Sequence, residues 1–348
     1  MKRIGTSTLT GNKVYFTEAD SFSQINYNVS NYELLTKIKL SLILSDYVML
    51  AANHIFESKI TFNVLKENSI LLESGIVIPD LRDECRDFFD FIEIEKEQGD
   101  LPKLYRRKEQ QFKDIAFFLH DHVPQVVLWA AAPTSTEFRQ TLVNDLLSKD
   151  SPLRKKLIGI RKDLLAKLVW EIGNTTFLTR EKISILSGRY LSNKKGVLER
   201  YADVMYYLSG AAHLESEPVI HPSAVNWCVG KLFNISNALK ARNGEHEAFH
   251  NLLDKLTIST SVLDRLPVSE LIRFREEDLA KRFRCKWHKI IEQAKRTGEV
   301  ENETNSYHQM IINMFEELNK TISVEKKRKT NFEKTRKILM LSSIITSI

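Results

Sequence analysis

Breakers are scarce in this chain: 12 glycines and 8 prolines in 348 residues. So few turn-formers exclude a many-turned β-sandwich and favour long helices. Cysteine is scarcer still. Cys85, Cys228 and Cys285 are odd in number, far apart and form no C-x-x-C. That excludes a thiolate zinc finger and a disulfide framework, leaving reduced thiols in a cytosolic protein as the expectation. No run of about 18 apolar residues occurs, so no complete transmembrane helix is expected. The opening MKRIGTSTLTGNKVYF is basic, yet it lacks the apolar run of about 7–15 residues that a secretory signal needs. G-x-x-x-x-G-K-[ST], G-x-G-x-x-G and G-x-S-x-G are also missing, which sets aside the common nucleotide-binding and hydrolase loops.

What is present is an ordinary globular composition, 43% hydrophobic and 28% charged, in a chain long enough to bury a core without metal or disulfide. At roughly 100–200 residues per domain, the length allows two or three domains. Residues 31–45 repeat apolar side chains at Leu34, Leu35, Ile38, Leu42 and Leu44, close to helical spacing. DYVMLAA (46–52) and GIVIPD (75–80) have strand length and composition and bracket a helical segment over 61–74, a βαβ unit. A hairpin is expected around Thr10-Gly11-Asn12-Lys13. Beyond residue 100 almost only helices are expected, over 104–121, from a capping box at Thr134–Glu137, from Ser151-Pro152 to about 171, and over 180–188, 196–209, 222–242 and 245–258. Pro267 opens a long basic helix to Thr297, and another helix runs from about 302 toward 337. The expected fold is therefore mainly α (α+β). A small α/β region spans 1–100, a helical domain 101–265, and a basic long-helix region with an apolar tail 266–348.

Charge is unevenly placed. The net charge is +6, yet 281–297 holds seven Lys/Arg against one Glu, and 320–337 holds eight against two. The remainder is therefore negative by about the same amount, a layout that suits an anionic partner. In the first stretch Phe283, Trp287, Ile290 and Ile291 share one helix face. Lys281, Arg282, Arg284, Lys286, Lys289, Lys295 and Arg296 occupy much of the rest. Such a helix either packs its apolar face and solvates its basic one, or contacts phosphates without sequence preference.

His246-Glu247-Ala248-Phe249-His250 fits H-E-x-x-H. Imidazoles at i and i+4 reach one zinc ion, and the intervening Glu247 can take a proton from bound water. Glu270, twenty residues after His250, is the candidate third ligand. Against this, Asn243-Gly244 places His246 in the first helical turn, where the dipole disfavours a cation. The apolar face of the helix is Phe249, Leu252, Leu253 and Leu256, with both histidines on its flank. No cofactor is expected unless this zinc site forms.

Carboxylates also gather around the two strands: Asp46, Asp80, Asp83, Glu84, Asp87 and Asp90. Asp80 falls at the carboxyl end of a parallel strand, where a nuclease would hold Mg²⁺. Asp46 falls at the opposite edge, and Asp80 and Asp83 equally suit a helix N-terminus. His120 and His122 at a helix end do not share a helix face; a loop could point both at a metal, or they complement the helix dipole, while Cys285 and His288 have no second ligand pair in view. The end of the chain is EKKRKTNFEKTRK (325–337) followed by ILMLSSIITSI (338–348). Eleven residues reach only half a bilayer as a helix. The run can dock on the core, bind a partner protein or lie on an anionic membrane surface, and it is also what a chain cut short would leave. The leading functional expectation is a non-catalytic interaction or effector protein in a prokaryotic cytoplasm, its basic helices meeting nucleic acid or another polyanion. A zinc hydrolase and a membrane-peripheral protein are the alternatives.

Overall fold

The computed structural model describes residues 1–16, 30–219, 263 and 266–297. The protein is mainly helical and carries a parallel β-sheet. Strands β1 (Lys2–Gly5) and β2 (Lys13–Phe16) precede helix α1 (Asn31–Leu44). Ser30 caps α1 by accepting the Glu33 amide, and its inner face buries Leu34, Ile38 and Leu42. Then follow β3 (Tyr47–Ala51), α2 (Ala52–Glu57), α3 (Lys59–Glu67), α4 (Ile70–Glu73) and β4 (Val77–Arg82). Next come α5 (Phe88–Gln98), α6 (Pro102–Arg107), α7 (Glu109–His122) and β5 (Gln125–Trp129). The chain continues through α8 (Ala131–Leu147), α9 (Pro152–Lys156), α10 (Lys162–Gly173), α11 (Arg180–Leu191) and α12 (Lys195–His213) to β6 (Glu217–Val219). Beyond 263 lie α13 (Val268–Arg275) and α14 (Asp278–Thr297).

The sheet order is β1-β5-β4-β3-β2-β6, and every pairing is parallel. The expected βαβ unit is present: β3 and β4 are neighbours with Val48 opposite Val77 and Ala51 opposite Asp80. The sheet reaches further along the chain than its expected place in the first hundred residues, because Gln125–Trp129 and Glu217–Val219 also join it. The expected hairpin does not form. β1 and β2 lie four places apart in the sheet, and Gly11, at φ +109°, turns the chain beside the Asp46 carboxylate instead.

Strand alternation gives the sheet two faces. On the first, Phe16, Val48, Leu50, Val77, Leu81 and Val126 join a core with α1, α5 and α7. Aromatic packing dominates there, with Phe56 against Phe88, Phe91 and Phe112. On the second, Tyr15, Met49, Ile78 and Val127 meet Leu9 and, from α12, Ala211. Burial on both faces explains why β3 and β4 read as apolar runs rather than alternating strands.

A second core is wholly helical, formed by α8 to α12 around Leu142, Leu168, Leu186 and Tyr201. Its helices follow their caps: Thr179 accepts the Lys182 amide, and Ser151 accepts the Arg154 amide ahead of Pro152. Gly159, at φ +92°, divides the helix expected over 152–171 into α9 and α10. The capping-box reading of Thr134–Glu137 is corrected. The helix begins at Ala131, so these residues lie inside it, and Glu137 pairs with His213 at 2.9 Å. The long basic helix is likewise two helices, α13 and α14. Leu263, Leu266, Leu271, Phe274 and Phe283 seal the first core.

Candidate functional site at the carboxyl edge of the sheet

β4 sends the chain into helices on the first face, whereas β5 sends it into helices that return as α12 over the second. Neighbouring parallel strands whose exits diverge leave a crevice at their carboxyl ends. Arg82 and Trp129, the last residues of β4 and β5, face each other in register there, and Asp100, Ser135, Thr179 and Tyr206 complete its walls.

Buried charge converges on this edge. Asp80 accepts the Tyr15 hydroxyl at 2.8 Å and the Ala52 amide at 3.2 Å. Burial nevertheless dominates and pushes its pKa up to about 7. Arg82 donates to Glu95 at 3.3 Å and also pairs with Glu84. The second Glu95 oxygen accepts the Asp100 amide at 3.1 Å. That reach depends on Gly99, where a Cβ would lie 2.5 Å from the Glu95 Cα. Burial, reinforced by Asp100, raises the Glu95 pKa to about 7.

Next to it stands Arg180, the first residue of α11. Its guanidinium donates to Glu57 at 3.2 Å and lies 3.6 Å from Asp203 and 3.9 Å from Asp100. Tyr105 also donates to Glu57, at 3.5 Å. Glu57 is inside the protein, and burial outweighs the attraction of Arg180, so its pKa rises to about 8. His54, one turn earlier on α2, is held neutral by the same burial, with Arg180 acting in the same direction. Its pKa falls to about 3. Through Arg180, which contacts Glu57 on α2 and Asp203 on α12, this ionic cluster joins the α/β core to the helical one.

On the far side of Arg180 lies a cavity of about 440 Å³ between α6, α11 and α12. Leu101, Leu104, Ile183 and Ala202 give it apolar walls, Glu199 and Asp203 line it from α12, and Lys103 and Arg107 stand at α6. Glu199 is 9% exposed, and neither of its carboxylate oxygens makes a hydrogen bond. Lys195 is its ion-pair neighbour, at 3.8 Å.

The residues singled out in the sequence lie elsewhere. His246, Glu247 and His250 fall outside the described residues, as does the 338–348 tail. Glu270 is on α13 and pairs with Arg273. Among the described residues no group of three or more His, Cys, Asp or Glu stands close enough to hold a metal. The basic helix α14 borders the opposite, amino edge of the sheet. There Arg284 is buried, donating to Asp46 at 3.0 Å and to the Arg275 carbonyl at 2.9 Å. Lys281 pairs with Glu276 at 3.1 Å, while Arg282 bonds the Asp278 carbonyl on an exposed turn. Lys286 is half-buried and Lys289 exposed. For Lys295 and Arg296 the helical backbone is described and the side chains are not. Asp46 is indeed at the amino edge, Asp80 at the carboxyl edge, and Asp87 caps α5.

Sequence reading missed Glu57, Arg82, Glu95, Asp100, Arg180, Glu199 and Asp203. One signal was available: Glu199 and Asp203 stand one turn apart on a helix otherwise apolar at Leu198, Tyr201, Ala202 and Met205. No protein-family model, curated protein or solved structure matches this chain.

Proposed function

We propose that this chain is an interaction protein that binds a small molecule in the cavity between α6, α11 and α12, beside the carboxyl edge of its sheet. The observation that carries this reading is the pocket itself: about 440 Å³ with apolar walls and a buried, un-hydrogen-bonded Glu199. Concave, mostly apolar sites with a few convergent polar groups, placed at the junction of two cores, are where proteins hold ligands. The role is non-catalytic in this reading, because Asp80, Glu57 and Glu95 direct their hydrogen bonds to protein donors. The free thiols of Cys85 and Cys285 suit a reducing, intracellular setting. The test is a thermal-shift panel of small amines, carboxylic acids, sugars and nucleosides on the full chain and on Ala202→Leu, which narrows the cavity from its α12 wall. A compound that raises the wild-type midpoint and leaves the variant's unchanged supports the reading. Equal shifts, or none, refute it.

A second reading is favoured by α14. Phe283 anchors it in the core, while Arg282 and Lys289 are exposed beside a sequence-wide gathering of cations. This face would contact nucleic acid or another polyanion, with Arg284 excluded by its bond to Asp46. Binding to duplex DNA or RNA should then weaken steeply between about 50 and 200 mM salt. Binding indifferent to salt, or none at low salt, removes this reading.

A further inference from the structure

We propose that the ligand of the α6–α11–α12 cavity is a singly charged organic cation, an ammonium or guanidinium on an apolar stem, whose head docks on Glu199. This rests on the cavity being a ligand site, as read above, and adds the chemistry of what fills it. A carboxylate buried to about nine-tenths with no hydrogen bond to either oxygen carries a desolvation cost. A charged donor at hydrogen-bond distance offsets that cost, and charge-assisted bonds are the strong ones. Lys195, 3.8 Å away and 42% exposed at its side chain, is too far to hydrogen-bond and reaches Glu199 from the solvent side.

The polar walls point the same way. Asp203 lines the cavity on α12 one turn from Glu199, and Arg180 already spans Glu57, Asp100 and Asp203. Glu57 and Glu95, their pKa values raised to about 8 and 7, add little negative charge at neutral pH, so Glu199 is the cavity acid open to a further donor. Leu101, Leu104, Ile183 and Ala202 supply the surface for a hydrocarbon stem. Exposed Arg107 and Lys103 stand on the α6 side, and Glu181 holds Lys103. These cations disfavour a second positive charge on the ligand and leave its far end neutral or anionic.

The experiment is a ligand-observed NMR titration of the full chain with four probes of one length: n-hexylguanidinium, n-hexylammonium, hexanoate and 1-hexanol. The expected result is saturable binding of the two cations, at least tenfold tighter than hexanoate or hexanol. Glu199→Gln should weaken cation binding at least fivefold and leave hexanol unchanged. Ala202→Leu, which keeps every charge, should abolish binding of all four, so the proposal stays testable if Glu199→Gln fails to fold. Preferential binding of hexanoate or hexanol overturns the cationic assignment and keeps the cavity as a ligand site. Binding of no probe, or cation binding indifferent to both variants, overturns both.

Discussion

Replacing Glu57 by Gln should make the protein more stable at pH 8 while changing little at pH 5. Gln keeps the shape of the side chain; its oxygen can accept from Arg180, 3.2 Å from one carboxylate oxygen, while its NH2 takes the place of the other and donates to the Tyr105 hydroxyl, 3.5 Å away. What it removes is an ionisable group whose folded pKa, about 8, lies above its ordinary 4.5. A raised folded pKa means stability fully present below pH 4.5 and lost as pH rises toward 8, because the unfolded chain releases a proton that the folded chain retains. At about 1.4 kcal/mol per pH unit for one proton, the interval between 4.5 and 8 corresponds to several kcal/mol at its upper end. The wild type should therefore show a urea midpoint that declines from pH 5 to pH 8, and Glu57→Gln should remove about one proton's worth of that slope. Above pH 8 the difference should level off. A variant less stable than wild type at pH 8 would mean that the ionised Glu57–Arg180 pair is a net stabiliser, and burial would not be the dominant force on this carboxyl.

Tyr15→Phe removes the 2.8 Å donor to Asp80 and should cost about 1–3 kcal/mol while moving the Asp80 pKa further above 7, readable by carboxyl NMR. His54 works in the opposite sense to Glu57. Its folded pKa of about 3 lies below 6.5, so its contribution is complete above pH 6.5 and is lost as pH falls toward 3. Titration from pH 6.5 to 4, followed by imidazole NMR, should show a His54 ring that stays neutral throughout. Arg284→Ala breaks the bonds to Asp46 and the Arg275 carbonyl and should cost about 2–4 kcal/mol in denaturant unfolding. Leu186→Ala, in the middle of the helical core, should cost about 2–5 kcal/mol, and an unchanged midpoint would argue against a packed second core. Elemental analysis of protein prepared without chelator checks the 246–250 motif: stoichiometric zinc, lost in a His246→Ala/His250→Ala double variant, would support the hydrolase reading.

Local chemistry was legible in the sequence wherever a segment's fate depends on its own residues. The apolar runs at 46–52 and 75–80 became β3 and β4, and Ser151-Pro152 began a helix, because strand propensity and caps act over a few residues. The period of 196–209 likewise placed α12. β5 was less legible: QVVLW, after Val123-Pro124, is an apolar run too short for its period to tell strand from buried helix. β1 and β6 are short strands, and they exist because a neighbour supplies their hydrogen bonds.

What the sequence determined by itself is therefore the helical bulk, the β3–β4 unit and the crowding of cations toward the end. Only the tertiary structure decided which charges meet. Arg180 finds Glu57 across 123 residues, and Arg284 finds Asp46 across 238. Such pairs obey no period, because they follow from the order of strands in the sheet and the docking of one core on another. A carboxylate's surroundings set both its pKa and its partners. The same Glu that would face solvent on an isolated helix is buried once α6, α11 and α12 close around it.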